Sequence, residues 1–336
     1  MSTPIAPLRL IPDLRRRVWG GSRLATLVPG TPIAAAGPAR ASGDPAPTAP
    51  IGEAWVVWDG CRVTDGAWAG RTLAEVTAAE PLAILGTAGI AQADGRFPVL
   101  VKIIDTTDWL SLQVHPDDAT AARLEGPGHL GKTEAWYVLD AAPGAQLILG
   151  VAAGTTDDEV RAAIRDATLD GLAARVPVRP GDAVLVPAGL LHSIGPDILL
   201  YELQQSSDLT YRVSDWGRPP SVERPLHPAQ SIESMRPSAT ALPAQARVAE
   251  DGLTTAVACE KFVADLVGVC GGPAAMDTRG VSFHAITVLA GGMVAEGEGW
   301  SQRLEAFGSL LVPAAVGGYA LRSAGGPARA MVARMP

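Results

Sequence analysis

The residues best suited to chemistry lie in three short stretches. In Leu110-Ser111-Leu112-Gln113-Val114-His115, strand alternation puts Ser111, Gln113 and His115 on one face and Leu110, Leu112 and Val114 on the other. A Gln and a His two residues apart on one face can present two donor atoms side by side. Glu134 opens the next extended run, in Gly131-Lys132-Thr133-Glu134, and His192 closes a later stretch that starts at Gly181 and runs through Pro187 and Gly189. Neutral imidazole nitrogens and a carboxylate oxygen suit a divalent transition metal, of which Zn2+ is the commonest case. Two His, one Glu and one Gln leave such an ion with residual positive charge and room for water or a substrate oxygen. Taken singly, each His is an ordinary polar residue at a strand end. The case for metal rests on two His and a Glu in matched β context.

The elements that must position these residues read as strands. Residues 97–105, 109–115, 134–139, 145–151, 182–189 and 197–205 are short aliphatic or β-branched runs separated by Gly and Pro, the pattern of an all-β sandwich or barrel. Two stretches read as helices, 72–84 and 156–174. The second opens with Thr156-Asp157-Asp158-Glu159, a capping-box arrangement, followed by apolar Val160, Ile164 and Leu169. Residues 35–50 form a Pro/Ala/Gly-rich stretch without period and read as an exposed insertion. Residues 229–250 have little hydrophobic pattern. They read as a linker between an N-terminal domain, 1–228, and a C-terminal domain, 251–336, whose runs again read as strands. Gly181 to Ala188 and Gly308 to Ala314 share the order Gly, aliphatics, Pro-Ala, so two related β-domains are expected.

The chain has 336 residues, 47% of them apolar and 18% charged, the balance of a globular protein. Its net charge of −8 argues against nonspecific nucleic-acid binding, which needs a basic face. No window is apolar enough for a membrane span, and the N-terminus lacks the apolar region of a signal peptide. Cys61, Cys259 and Cys270 have no metal-like spacing and read as free thiols, so a cytoplasmic location is expected. Lysine is rare: Lys102, Lys132 and Lys261 stand against a large excess of Arg. Where charge alone suffices this chain uses Arg, so a retained Lys points to a need for a compact ammonium or a tunable pKa. His129, in a Gly-Pro-Gly-His loop, lies between the chemical stretches, while His227 and His284 lie outside them and read as structural.

The stretch from Gly181 to His192 resembles the second sequence motif of cupins, small β-barrels that hold a metal inside the barrel. Pro196 stands where that motif ends in Asn, and Gln113 replaces the first His of the cupin H-x-H motif. One cupin family carries Gln there. Over about residues 10–220 the chain resembles class I mannose-6-phosphate isomerases, especially the short bacterial form. The matching segments are Trp19-Gly20-Gly21, Gly52-Glu53-Ala54-Trp55, Phe97-Pro98-Val99-Leu100-Val101-Lys102 and Leu112-Gln113-Val114-His115-Pro116-Asp117-Asp118. They continue with Gly131-Lys132-Thr133-Glu134, Pro187-Ala188-Gly189 to His192-Ser193-Ile194-Gly195, Glu202 to Asp208, and Thr210-Tyr211-Arg212-Val213-Ser214-Asp215.

The resemblance implies two cupin-type, jelly-roll-like β-barrels with a few short helices, and one Zn2+ per chain held by Gln113, His115, Glu134 and His192. It implies Arg212 and Lys132 as catalytic cations, and Lys102, Glu202 and Trp19 about the substrate. The implied reaction is the interconversion of mannose 6-phosphate and fructose 6-phosphate through a cis-enediol. That chemistry needs a positive centre for an enediolate-like charge, a base with a tuned pKa and cations for the phosphate. Lys132, Glu202 and Asp208 are the candidates for the base, and Arg17, Lys102 and Arg218 for the phosphate. The alternatives are an iron-dependent cupin oxygenase, against which Gln113 and the surrounding cations weigh, and a non-catalytic sugar-phosphate-binding cupin. The expected partner is a small sugar phosphate, with no nucleic acid or membrane, in a monomer or small homo-oligomer. In the C-terminal region Gly and Tyr follow Pro313 where a ligand His would stand, so that barrel is expected to be metal-free.

Overall fold

The structure, a computed structural model, describes residues 5–28, 49–93, 95–219 and 224–336. Runs rich in Val, Ile and Leu form four antiparallel sheets arranged as two pairs. In the first pair, a seven-stranded sheet runs in the order Ala244–Gln245, Asp182–Val186, Glu134–Ala141, Ile198–Gln205, Val99–Asp105, Ile51–Val57 and Asp13–Arg16. Its partner has the order Tyr211–Ser214, Leu112–Val114, His192–Ile194, Gln146–Val151 and Ala173–Pro177. Trp136, Val138 and Leu200 of the larger sheet meet Leu147, Leu149 and Ile194 of the smaller one in a single apolar cluster.

The second pair repeats this plan. Its larger sheet contains Gly252–Ala258, Val263–Val269, Ala328–Arg334, His284–Ala290 and Ser309–Val312; the smaller contains Ala274–Asp277, Gly318–Ser323, Met293–Gly297 and Trp300–Leu304. The two large sheets pack back to back. Tyr137, Tyr201 and Leu203 from one share a core with Leu266, Ala285 and Leu311 from the other. At this seam the Phe97 and Phe283 rings lie 4.5 Å apart between centroids. Strands of the first large sheet are therefore covered on both faces, and every residue of Ile198–Gln205 is buried. The sequence-order division is crossed once: Leu8–Ile11 and Arg62–Val63 complete the C-terminal large sheet, with Leu8 opposite Leu311.

All six runs read as strands contain one, although the run at 109–115 narrows to Leu112–Val114. The expected helix at 72–84 is two helices, Leu73–Ala79, capped by Thr72 and Glu75, and Pro81–Gln92. Proline lacks the N–H that would continue the first helix, so the chain turns at Glu80. The helix expected to reach 174 stops at Arg165, because Ala167 adopts a φ of 56° and the chain then enters Ala173–Pro177 as a strand. The 229–250 segment is also structured: Pro228–Ser234 is a helix, and Ala244–Gln245 pairs with Asp182 and Ala183 at a sheet edge. Of the stretch 35–50, residues 35–48 lie outside the described residues. Among the described residues no single helix is long and apolar enough to cross a membrane. The bent pair Leu73–Ala79 and Pro81–Gln92 qualifies only jointly, and its Leu73, Val76, Ile84 and Leu85 are buried in the central core.

Candidate active site

Strand ends converge on one point inside the first sheet pair. His192 opens its strand directly opposite Gln113, while Glu134 opens its own between Val186 and Gln204. His115 lies one residue past the end of Leu112–Val114, and its carbonyl accepts a hydrogen bond from Gly189 N (2.8 Å). Gly189 has a φ of 89°, a left-handed conformation that lets the chain turn from Pro187 into Leu190-Leu191-His192. Gly131 packs so closely on the Asp117–Asp118 backbone that a Cβ would sit 2.5 Å from it. That close approach sets Lys132 beside His115, with Lys132 N donating to Pro116 O at 3.0 Å.

His115, Glu134 and His192 are almost completely buried, and their ligand atoms all lie within 4.8 Å of one another. Both imidazoles are fixed by their other nitrogen: His115 Nδ1 donates to Leu209 O (3.0 Å) and His192 Nδ1 to Leu190 O (2.8 Å). Each Nε2 therefore carries a lone pair, and the two Nε2 atoms face each other at 3.1 Å. Glu134 Oε2 is 3.3 Å from His115 Nε2, and Oε1 is 3.4 Å from His192 Nε2. Neither carboxylate oxygen accepts a well-directed hydrogen bond. Two lone pairs and a buried carboxylate pointing at one spot repel one another unless a cation lies among them. Donors around a tetrahedral ion at roughly 2.1 Å stand about 3.4 Å apart, close to the separations here. Gln113 Nε2 is 3.2 Å from His192 Nε2, and turning the amide presents Oε1, the atom a cation takes, at the same place. The donor set fits a divalent metal.

Lys132 Nζ lies 2.8 Å from Glu134 Oε2 and 2.9 Å from His115 Nε2, supplying one positive charge at the edge of the cluster. Burial lowers the basicity of both imidazoles, that of His115 to a pKa of about 3, so both are neutral ligands near pH 7. Burial would raise the Glu134 carboxyl, but the Lys132 ammonium overcomes it and holds the group well below its usual range.

A buried polar arc leads away from the cluster. Glu202 accepts from Trp136 Nε1 (2.9 Å) and pairs with Lys102 Nζ (3.0 Å). Burial, then the charge of Glu134, pushes the Glu202 carboxyl above its ordinary pKa. Burial alone would depress Lys102; Glu202, Glu53 and Asp208 outweigh it and hold the ammonium above the usual lysine range. Glu53 accepts from Trp55 Nε1 (2.7 Å) and Arg17 (3.0 Å). Its burial is overcome by Arg17 and Lys102, which bring its pKa down to about 2.

A group of guanidiniums occupies the Gln113 side of the site. Arg212 is the ladder partner of Gln113, and its Nε donates to Ser111 Oγ at 2.8 Å. Burial, with Arg224, Arg17 and Arg218 nearby, lowers the pKa of Arg212 to about 10. Arg218 and Arg224 both bond Asp215.

The structure thus brings together Gln113, His115, Glu134, His192, Lys132, Lys102, Glu202 and Arg212, with Asp208 3.7 Å from Lys102. It places Trp19 at 4% exposure in the apolar cluster with Ile104, Leu110 and Trp136. His129 is exposed, Lys261 pairs with Asp118 (3.0 Å), and His227 Nδ1 accepts from Arg212 N (3.1 Å). Sequence reasoning gave no role to Glu53, Asp215 or Arg224. Glu53 and Asp215 stood inside matched segments, a usable signal, whereas Arg224 is one arginine among many.

A mainly β chain with buried neutral imidazoles, a carboxylate and an adjoining row of cations is suited to metal-assisted chemistry on a small anion. The comparisons with known proteins narrow that class. The family described as phosphomannose isomerase type I, catalytic domain, matches residues 8–137. A mannose-6-phosphate isomerase of Streptococcus mutans is 37% identical over 257 residues, covering 75% of this chain and 74% of that protein. A probable mannose-6-phosphate isomerase of Bacillus subtilis is 38% identical over 234 residues, covering 68% and 67%. The crystal structure of a Bacillus subtilis mannose 6-phosphate isomerase superposes with a TM-score of 0.80 at 27% identity, covering 98% of this chain and 99% of that one. A putative mannosephosphate isomerase of Archaeoglobus fulgidus, at 20% identity, 99% and 98% coverage and a TM-score of 0.71, shares the fold. The chain belongs to the type I phosphomannose isomerase family.

Proposed function

We propose that the protein is a zinc-dependent ketol-isomerase that interconverts mannose 6-phosphate and fructose 6-phosphate. The observation that carries this reading is the buried meeting of His115 Nε2, His192 Nε2 and the Glu134 carboxylate in a chain of this family. Gln113, His115, Glu134 and His192 would hold one Zn2+ per chain, with residues 1–228 as the catalytic unit, 229–250 as a linker and 251–336 as a metal-free unit. The ion, when bound, supplies Lewis-acid polarisation of a substrate oxygen and stabilises developing negative charge.

The chain's own residues do the rest. Arg212 commits Nε to Ser111 and NH1 to Pro225 O (2.9 Å), which leaves NH2 to meet an oxyanion. The reaction moves one proton between C2 and C1 and one between the two oxygens through a cis-enediol. Glu202, with its raised carboxyl pKa, and Lys132, beside Glu134, are the groups next to the cluster suited to carry them. Lys102 fixes Glu202, while Arg17, Arg218 and Arg224 supply cations for the phosphate. Trp19 supports the strand ends behind the substrate. The partner is a small sugar phosphate, the setting cytoplasmic, and the assembly a monomer or small homo-oligomer. The test is turnover of mannose 6-phosphate by purified protein before chelation, after chelation and after Zn2+ is restored. Loss and recovery is the expected result; a folded, metal-loaded protein without turnover overturns the reading.

A further inference from the structure

Asp215 is the point at which the guanidinium group is tied together, and we propose that it is a positioning residue that sets Arg218 and Arg224 as a seat for the phosphate of the substrate and holds Arg212 beside that seat. This rests on the isomerase reading for the identity of the anion. The bonds are specific. Asp215 Oδ1 accepts from Arg224 NH2 (2.7 Å), Ser111 Oγ (2.8 Å) and Arg218 NH1 (2.9 Å), and Oδ2 accepts from Arg224 Nε (2.9 Å). The pairing with Arg224 is bidentate and fixes the plane of that guanidinium. Ser111 Oγ accepts from Arg224 NH2 (2.7 Å) and Arg212 Nε (2.8 Å). A serine hydroxyl has one hydrogen and two lone pairs. By taking the hydrogen, Asp215 turns both lone pairs toward the two arginines. Asp215 thus acts on Arg212 through Ser111, which lies two residues from Gln113 and is itself 3% exposed.

Charge alone argues for the opposite effect. Two guanidiniums pair with this carboxylate and Arg212 is joined to it through Ser111, with the exposed Asp108 also pairing Arg218 at 2.7 Å. A carboxylate beside an anion seat repels the anion, so on Coulomb grounds its neutralisation tightens phosphate binding. On positioning grounds it weakens binding, because the guanidiniums spread apart and Ser111 is free to rotate. Burial, which raises the Asp215 carboxyl, is overcome by the bonds from Arg224 and Ser111, so the group is ionised in its role.

The experiment compares the wild-type holoenzyme with Asp215→Asn and Ser111→Ala. It measures inorganic phosphate binding by calorimetry, kcat and KM for mannose 6-phosphate, metal content and the thermal midpoint. Positioning predicts phosphate binding at least tenfold weaker and KM at least tenfold higher in Asp215→Asn, with metal content unchanged. Ser111→Ala, which removes one hydroxyl and no charge, is expected to lower kcat/KM threefold to tenfold and serves if Asp215→Asn does not fold. Asp215→Glu is expected to recover part of the affinity. Unchanged or tighter phosphate binding in Asp215→Asn, or in Ser111→Ala where Asp215→Asn is unfolded, overturns the proposal. If the wild type binds phosphate in an Asp215-dependent way without turning over mannose 6-phosphate, the anion seat stands and the isomerase reading fails.

Discussion

The two sheet pairs carry the same constellation of positions filled with opposite chemistry. In the first, Glu134 opens its strand opposite Val186, and His192, opposite Gln113, reaches Glu134 at 3.4 Å. In the second, His284 opens its strand opposite Val312, and Tyr319, opposite Met276, reaches His284 Nδ1 at 2.8 Å. Thr278 stands two residues beyond Met276 as His115 stands beyond Gln113, and its hydroxyl donates to Ala314 O at 2.7 Å. One interior turns two imidazole nitrogens and a carboxylate toward one spot, with the Lys132 ammonium at its edge. The other closes each polar group on a neighbour and fills the remaining space with Val267, Val288, Leu310 and Val332. A shared scaffold does not make a metal site; unsatisfied donors pointing at one spot do.

The largest effect should separate the two pockets directly. Glu134→Gln or His192→Ala is expected to lower kcat/KM by about a thousandfold, the loss of several kcal/mol of charge stabilisation, together with bound metal. His284→Gln should leave both unchanged. Assays of turnover and metal content check the contrast, and loss of metal in His284→Gln would break it.

The next effects concern what each pocket needs in order to fold. Lys102→Met leaves Glu202 and Glu53 buried without their shared cation, a change expected to cost about 3–5 kcal/mol in denaturant unfolding. Phe283→Ala opens the seam between the large sheets and should cost about 3–5 kcal/mol, with mannose 6-phosphate turnover at low temperature retained. Tyr319→Phe removes one buried hydrogen bond, about 1 kcal/mol, with no change in kcat.

The last effect is a pH slope. Burial depresses His284 to a pKa of about 4, below the ordinary 6.5. The unfolded chain therefore takes up a proton between pH 6.5 and 4 that the folded chain refuses, and stability falls as pH is lowered through that window. Above it His284 is neutral in both states and contributes no slope. The His284→Gln variant should show a flatter fall of thermal midpoint than wild type between those limits.

Much of the candidate metal cluster was legible in the sequence. Gln113 and His115 share a face because strands alternate, and Gly131, Pro187 and Gly189 mark turns that deliver Lys132 and His192. Glu134 stood out as the polar residue opening an apolar strand. The arginine seat was harder to see. Arg218 was a candidate from the sequence, but in a chain so rich in Arg nothing local separates Arg224 from its neighbours, and Asp215 reaches Arg212 only through Ser111, which the chain meets a hundred residues earlier. Helix lengths were overestimated where apolar spacing continued past a residue that leaves the helical conformation, as at Ala167.

What the sequence by itself determined is local: which residues alternate, where Gly and Pro break the chain, and which side chains are able to hold a metal. The tertiary structure decided which of them meet. It paired His192 with Gln113 and Gln204 with Glu134, put Leu8–Ile11 into the sheet of the other half, and turned Trp136 toward the site and Tyr137 toward the seam. Register is the physical reason: each partner lies far away along the chain, and a slip of one residue would exchange the two faces of a strand.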